Sequence, residues 1–190
     1  MIRELRIAMV VFLLLSVVTG LVYPGLVTLV AAAAFPDQAS GSLVRIGGKV
    51  VGSRLIGQSF SSPRYFWGRP SATGPAPNNG AASSGSNRGP LDPALAAAVE
   101  SRVAALRAAD PGNMRPVPVD LVTASGSGLD PQISIAAAEF QVPRVARERG
   151  LSEAEVLQQV RAATEGRTLR VLGEPRVNVL QLNLAIDAGR

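Results

Sequence analysis

Histidine and cysteine are both absent from the 190 residues of this chain. Without cysteine the chain has neither a disulfide framework nor a thiolate nucleophile. Without histidine it lacks the usual general base, the commonest zinc ligand and the side chain that titrates near neutral pH. Hydrolases built on a Ser–His or Cys–His pair are therefore excluded.

Lysine is almost as scarce, since Lys49 is the single lysine among 19 basic residues. A Walker loop needs GxxxxGK[ST], and the GGKV around Lys49 does not match it. The aspartate-lysine-threonine-glycine site of a phosphorylated pump subunit is also missing, because the residue directly before Lys49 is a glycine and not an aspartate. We therefore expect no catalytic site and no cofactor of the chain's own.

Clustered charge of either sign is lacking as well. The 14 acidic residues are scattered, so no oxygen-rich metal cluster is predicted. The formal net charge of +5 is spread without a long basic run, and aromatic residues make up only 4% of the chain. A nucleic-acid partner is not expected, because such proteins present a basic face or an aromatic stacking platform.

An apolar segment is what the sequence has in excess. Residues 7–35 carry no charge, and about 20 such residues suffice to span a membrane as a helix. We predict a flank at 1–6, a transmembrane helix at 7–35 and an extramembrane domain at 36–190, with lipid around the helix. The extra length is absorbed by tilting, by a kink at Tyr23, Pro24 and Gly25, or by continuation beyond the hydrocarbon.

The flanking charges predict the orientation of this helix. Arg3 and Arg6 directly precede it, which favours an N-terminus in the cytoplasm and a C-terminal domain in the periplasm or outside the cell. The predicted location is the inner membrane, with a single pass. A cleavable signal peptide is the alternative, although its apolar region would normally be about 7 to 15 residues long.

The rest of the chain predicts a mixed α+β domain. Residues 42–58 resemble a β-hairpin with Gly47-Gly48 as its turn. A loop rich in Gly, Pro, Ser and Asn follows at 61–91, and the aromatic residues at its head indicate that this part is docked. Short strands are predicted at 117–123 and 168–172.

Three helices are predicted between these segments. The first begins at the N-cap Asp92, and its apolar face consists of Leu95, Val99, Val103 and Leu106. The second runs from 133 to 150 and contains Pro143, which predicts a kink or a break. The third opens on a capping box and ends near residue 166. The tail at 177–187 fits either an alternating strand or a helix capped by Asn178.

The glycine-serine turn at 125–128 is the segment that most resembles a site. It fails the GxSxG pattern of a nucleophile elbow, so it is either a tight turn or a nest of backbone amides for an anion. Asp130 is interpreted as a cap or turn residue. Arg144, Arg147 and Arg149 form either a solvated helix face or a face that binds a partner.

Six ordered blocks carry a resemblance to a known family. They are GSRLIGQSF (52–60), YFWGRPSAT (65–73), SSGSN (83–87), VPVDLVTASGSGLDP (117–131), QVPRVARERGL (141–151) and LGEPRVNVLQLNLAID (172–187). Together with one N-terminal span, they resemble the C chain of the Kdp-type potassium-transporting ATPase over nearly the whole sequence.

The resemblance implies an accessory subunit of a high-affinity, ATP-driven potassium uptake complex. Its implied partners are a potassium-translocating subunit, a P-type ATP-hydrolysing subunit and a small single-span subunit. The family's C chain is held to assemble or stabilise the complex, and alternatively to act as a catalytic chaperone that binds ATP and raises the nucleotide affinity of the ATP-hydrolysing subunit.

In that chaperone hypothesis the resemblance implies a nucleotide motif, although the same residues can form a plain turn. They are Ser125, Gly126, Ser127, Gly128, Asp130 and Gln141. Family members often have a histidine where this chain has Gln132 and a glycine where it has Ser84, so a role for that imidazole is not expected. Because a domain outside the membrane meets no ATP, we favour the interaction role over nucleotide binding.

Overall fold

The computed structural model of the chain describes residues 1–189. They form two units, Met1–Val50 and a second unit from Val51 onward. The first carries one long apolar helix, and the second combines helices with short antiparallel strands. The predicted fold class, an α+β domain with an N-terminal apolar helix, is confirmed.

The N-terminal helix runs from Ile2 to Ala34 and is long and apolar enough to cross a membrane. It consists of α1 (Ile2–Val17), a π-helical turn (Val18–Val22) and α2 (Tyr23–Ala34). Pro24 explains the widened turn, because proline lacks an N–H and its ring would collide with the carbonyl one turn earlier. The irregularity expected at residues 23–25 therefore falls just before Pro24.

The predicted hairpin is confirmed but shorter than expected. After the short helix α3 (Pro36–Ala39), strands β1 (Leu43–Ile46) and β2 (Lys49–Ser53) pair with each other. Gly47 and Gly48 form the turn with φ angles of +55° and +79°, a region that glycine enters without steric cost. The strand ends at Ser53 rather than at residue 58.

A three-stranded antiparallel sheet lies in the second unit, in the order β3-β5-β4. Its strands are β3 (Gln132–Ser134), β4 (Thr164–Glu165) and β5 (Arg176–Asn178). Ile133 pairs with Val177, and both side chains are buried. The strands are short because each one leads directly into, or directly out of, a helix.

The predicted helices are all present. They are α4 (Pro93–Ala109), α5 (Ile135–Arg149), α6 (Glu153–Ala162) and, from the ambiguous tail, α7 (Val179–Ala188). Asp92 caps α4 as predicted by accepting the N–H of Ala94 at 2.8 Å. Of the predicted apolar face of α4, Leu106 is buried and the other three residues are half-buried. Helix α6 ends at Ala162, four residues earlier than expected, because the chain enters β4.

The tail is a helix because its first residue caps it. Asn178 accepts the N–H of Gln181 at 3.1 Å, and its own amide donates to the carbonyl of Arg54 at 2.9 Å. The leucines whose alternation favoured a strand, Leu180, Leu182 and Leu184, therefore lie within α7. The residues at the helical spacing, Leu182 and Ile186, are buried.

Pro143 lies inside α5, which continues through it, so the predicted break does not occur. A proline cannot donate to the carbonyl four residues earlier, which here belongs to Glu139. The guanidinium of Arg115 donates to that carbonyl at 2.7 Å and to the carbonyl of Phe140 at 3.0 Å. A side chain thus replaces the hydrogen bond that the proline removes.

The strand predicted at 117–123 is wrong, and the segment is a 3₁₀ turn at Val119–Leu121. Pro118 has no N–H to offer a neighbouring strand. Thr123 donates from its hydroxyl to the carbonyl of Val119 at 2.8 Å, which stabilises the turn. The carboxylate of Asp120 accepts the N–H of Ser134 at 2.7 Å and thereby ties the turn to the start of α5.

The strand predicted at 168–172 is also wrong. Thr168 and Leu172 form an isolated antiparallel bridge around a reversal of the chain. Leu169 and Arg170 have φ angles of +53° and +66°, which an extended strand excludes.

The hydrophobic core of the second unit surrounds α5, which packs against α6 and the sheet. Three of its members lie outside the α-helices and strands, namely Phe66 in the loop, Leu121 in the 3₁₀ turn and Val122 directly after it. The other main members are Ile133, Phe140, Val145, Val156, Val160, Val177 and Leu182. The aromatic head of the loop at 61–91 is therefore docked, as predicted.

The capping box of α6 gives a pH-dependent prediction. Ser152 donates from its hydroxyl and from its backbone N–H to the carboxylate of Glu155, and these two hydrogen bonds lower the pKa of Glu155. Because the folded pKa lies below the unfolded one, this stabilisation is complete above the unfolded pKa and is lost as the pH falls through the folded pKa. We expect Ser152→Ala to lower the free energy of unfolding by about 1 kcal/mol.

Urea unfolding of Glu155→Gln between pH 3 and pH 7 checks the pH dependence. The difference from the parent chain should be present at pH 7 and shrink toward pH 3. A difference that stays constant over this range would contradict the assignment.

Candidate functional site

Residues 62–71, here named the strap, begin with a turn at 62–65 and lie across helices α5 and α7. This segment organises the predicted site. Gln141, which projects from α5 and is 1% exposed, binds both backbone groups of Trp67. Its Oε1 accepts the N–H of Trp67 at 2.8 Å, and its Nε2 donates to the carbonyl of Trp67 at 3.1 Å. The amide side chain takes the place of a neighbouring strand.

Asn183 of α7 repeats this arrangement one residue earlier on the strap. Its Oδ1 accepts the N–H of Phe66 at 2.8 Å, and its Nδ2 donates to the carbonyl of Phe66 at 3.0 Å. Phe66 is fully buried, so its backbone groups need partners from within the protein. Two helices thus hold the backbone groups of two successive residues of the strap.

Arg144, also on α5, completes this network. Its guanidinium donates to the carbonyls of Pro63 and Tyr65 and, at 2.6 Å, to Oε1 of Gln141. Its Cζ also lies 4.5 Å from the centre of the Trp67 ring. Burial lowers the pKa of Arg144 to about 10, so the side chain remains charged at neutral pH while carbonyl oxygens and an aromatic face surround the charge.

A second arginine, Arg149, also holds the beginning of the strap. Arg149 donates from Nε to the carbonyl of Arg64 at 2.8 Å and forms an ion pair of 2.5 Å with Asp187 of α7. Its Cζ lies 4.7 Å from the centre of the Tyr65 ring, and the Tyr65 hydroxyl donates to Asp187 at 3.2 Å. The C-terminal ends of α5 and α7 are therefore joined directly by this ion pair, which also holds the strap.

These contacts correct the interpretation of the arginines as one solvated helix face. Arg144 and Arg149 are 2% and 7% exposed, whereas Arg147 is exposed and pairs with Asp110 at 2.8 Å. Hydrogen bonding to Asp110 raises the pKa of Arg147. Arg144 and Arg149 are internal because the strap covers them.

The glycine-serine turn contacts the other end of the strap. Ser125 is buried, and its N–H donates to the carbonyl of Pro70 at 3.0 Å. Its hydroxyl oxygen is buried and has no hydrogen-bond partner among the described residues. Gly126 is exposed, and nothing lies within 4 Å of where a Cβ would stand.

Ser127 and Gly128 bind the loop at 61–91 through their backbones. The carbonyl of Ser127 accepts the N–H of Ser84 at 2.9 Å and the hydroxyl of Ser83 at 3.0 Å. The carbonyl of Gly128 accepts the hydroxyl of Ser71 at 2.7 Å. Gly128 has a φ of +68°, and a Cβ there would stand 2.5 Å from Thr73 Cγ2, so the position requires glycine.

Asp130 is both a turn residue and an ion-pair partner. Its Oδ1 accepts the N–H of Gln132 at 2.9 Å, as expected of an aspartate that closes a turn. Its Oδ2 pairs with Arg69 of the strap at 3.1 Å, and both side chains are 27% exposed. Asp130 and Arg69 also line a cleft of about 490 Å³, together with Asp120 and Arg176.

The structure thus brings four of the six predicted residues to the strap, whereas Ser127 binds Ser83 and Ser84 and Gly126 is exposed. Gln141 binds the strap at Trp67, Ser125 binds it at Pro70, Asp130 binds it at Arg69, and Gly128 binds it at Ser71. Sequence reasoning missed Asn183, Arg69 and Asp187. Asn183 carries a weak signal, as a polar side chain on the apolar helix α7.

The chemistry open to this site is limited. Oε1 of Gln141 accepts two hydrogen bonds, from Trp67 and from Arg144. Its Nε2 donates two, to the carbonyl of Trp67 and, at 3.1 Å, to the carbonyl of Ala137. These four hydrogen bonds fill the capacity of an amide side chain. Among residues 1–189 no group of three or more acidic side chains is arranged to hold a metal ion. The geometry is that of a clamp on a backbone segment.

Comparison with protein families gives one match over nearly the whole chain. Residues 5–188 match the family model described as K⁺-transporting ATPase, c chain. The match includes both the apolar helix and the second unit.

Individual relatives agree with the family match. A potassium-transporting ATPase KdpC subunit of Sorangium cellulosum is 66% identical over the full length of both chains. A KdpC subunit of Herpetosiphon aurantiacus is 62% identical over 96% of this chain and 94% of its own length. A third, from Methylococcus capsulatus, is 61% identical over the full length of both.

Proposed function

This chain belongs to the family of K⁺-transporting ATPase C chains, and from that membership we propose that it is a non-catalytic accessory subunit that assembles and stabilises the complex. As a subunit of such an ATPase it has other subunits beside it. In this role it supports ATP-coupled potassium import through binding alone. Neither a catalytic site nor a bound cofactor of its own is required.

The observation that carries the proposal is the use of the motif residues inside the fold. Gln141 and Asn183 hold the strap, and the backbone of residues 125–128 holds the strap and the loop behind it. A nucleotide would have to displace these internal hydrogen bonds, and buried polar groups left without partners are costly. These residues are therefore better suited to holding the fold rigid than to binding and releasing a ligand.

We further propose the partners and the sidedness that suit an assembly role. The helix Ile2–Ala34 anchors the chain in the inner membrane with its N-terminus in the cytoplasm. The second unit then faces the periplasm or the cell exterior and clamps the outer face of the potassium-translocating subunit. The ATP-hydrolysing subunit and the small single-span subunit complete the complex.

The experiment that tests this proposal measures sidedness and assembly in the same cells. A reporter that is active only outside the inner membrane, and another that is active only inside, are each fused after Arg190. We expect the outside reporter to be active and the complex to fall apart when the chain is omitted.

The opposite results identify the alternative function. An inside signal, together with an ATPase subunit whose ATP affinity falls when the chain is omitted but whose complex stays intact, would establish the nucleotide-binding chaperone instead. That chaperone would bind ATP through Ser125, Gly126, Ser127, Gly128, Asp130 and Gln141. An outside signal with an intact complex in the absence of the chain would contradict the assembly role.

A further inference from the structure

Residues 167–174, here named the tip loop, leave the sheet between β4 and β5 and expose apolar side chains. Leu169, Val171 and Leu172 are 80%, 72% and 57% exposed. Exposed aliphatic residues are ordinary when they are single, but three within four positions form a patch. The described part of the chain does not cover this patch.

The backbone of the tip loop is held in an unfavourable conformation. Leu169 and Arg170 are the central residues of a turn in which Val171 donates its N–H to the carbonyl of Thr168 at 3.2 Å. Both have positive φ angles, as in the primed turns that favour Asn-Gly at these positions. Side chains with a Cβ adopt such angles at a cost in free energy, and strain of this kind concentrates at ligand clamps.

Two features brace this conformation. Thr168 and Leu172 exchange both backbone hydrogen bonds, each at 2.9 Å. Arg167 then closes the base by donating Nη2 to both carboxylate oxygens of Glu174, at 2.9 and 2.7 Å. The tip loop therefore presents its apolar side chains in one fixed shape.

The charge of the tip loop indicates the chemistry that would cover it. Arg167 is neutralised by Glu174, but the guanidinium of Arg170 forms no ion pair or hydrogen bond within the described residues. The exposed patch thus carries one uncompensated positive charge beside its apolar side chains. A complementary surface is apolar in the middle and acidic at its rim.

We propose that the tip loop is a docking element that inserts Leu169 and Val171 into an apolar groove, rimmed by carboxylates, on another subunit of the same ATPase complex. The inference rests on the proposed assembly function and adds the surface that carries it. A protein groove explains the braced, strained turn, because a loop that is already rigid loses little conformational entropy when it docks. A fluid bilayer would accept the same side chains from a relaxed loop and needs no such shape.

The first test is the double variant Leu169→Ser, Val171→Ser in the full chain, purified with its complex from membranes. We expect the variant to fold and to retain about tenfold less of the other subunits than the parent chain does. A second variant, Leu169→Asn with Arg170→Gly, keeps the turn with its preferred residues and removes the side chains. It should also lose the partners, although it retains Val171, while being at least as stable as the parent chain.

A matched control removes equally exposed apolar side chains elsewhere. Leu91 and Met114 are 94% and 83% exposed, so Leu91→Ser, Met114→Ser changes surface apolarity by a similar amount. This variant should retain the other subunits as the parent chain does. Equal retention by the control and by both tip-loop variants would overturn the inference.

Photo-crosslinking identifies the occupant. A photoreactive amino acid is placed at position 169 and, as a reference, at position 91 in the full chain in native membranes. A protein adduct specific to position 169 supports the groove, while lipid adducts alone, or none, overturn it. Omission of the whole chain is measured in parallel. If the complex stays intact without the chain, the proposed assembly function is wrong. If the complex falls apart without the chain but assembles with both tip-loop variants, only the role of the tip loop is wrong.

Discussion

Gln141→Ala is expected to lower the free energy of unfolding by about 2 to 4 kcal/mol. The substitution leaves the N–H and carbonyl of Trp67 without their partners and removes an acceptor of the buried Arg144 guanidinium. It also opens a small cavity beside a side chain that is 1% exposed. The cost is large because several buried groups lose their partners at once.

The measurement uses the single tryptophan of the chain as its probe. Trp67 lies on the strap and over Arg144, so urea unfolding of the full chain in detergent, followed by Trp67 fluorescence, reports the strap directly. Gln158→Ala is the matched control, because Gln158 is an exposed glutamine on α6. Its effect should stay within about 0.5 kcal/mol.

The same variant separates the two functions of the motif. If Gln141 serves as part of a clamp, the loss of stability comes first and the complex dissociates. A variant that unfolds like the parent chain, assembles normally and yet lowers the pump's affinity for ATP would refute the clamp and favour the nucleotide hypothesis.

Gly128→Ala is expected to destabilise the chain by about 2 to 4 kcal/mol, for a different reason. The backbone at Gly128 has a φ of +68°, and a residue with a Cβ pays about 1 to 2 kcal/mol in this region. The added Cβ would also stand 2.5 Å from Thr73 Cγ2 and 2.6 Å from the carbonyl oxygen of Ser84. Overpacking of this kind adds about 1 to 3 kcal/mol.

Gly126→Ala is the control for this prediction, two residues earlier in the same turn. No atom lies within 4 Å of the added Cβ, and the φ of Gly126 is not in the left-handed region. Thermal unfolding of both variants should therefore show a clear loss for Gly128→Ala and almost none for Gly126→Ala. A small and equal loss of stability in the two variants, together with loss of anion binding in both, would contradict this prediction and indicate that the glycines hold an anion.

Predictions from the sequence succeeded where the physical signal is local. The long helix follows from an uncharged run, and α4 and α6 begin at caps that act within three residues. The failures at 117–123 and 168–172 have local causes as well. Pro118 and the positive φ angles of Leu169 and Arg170 override the apolar pattern that favoured strands.

The predicted site residues were chosen through family resemblance, and their physical neighbours are remote in the chain. Gln141 lies 74 residues from Trp67, and Asn183 lies 117 residues from Phe66. No periodicity or spacing encodes pairs of that separation. The arginines of α5 were misread for the same reason, since nothing near them in sequence reveals the segment that buries them.

By itself the sequence determined the class of the protein, its single apolar helix of membrane-spanning length, and the absence of thiol and imidazole chemistry, because composition and short-range patterns suffice for these. Only the tertiary structure decided that the glutamine and the glycine-serine turn hold a strap, and that a braced apolar tip remains uncovered. These features depend on which backbone groups meet in three dimensions, and buried polar groups find their partners there regardless of distance along the chain.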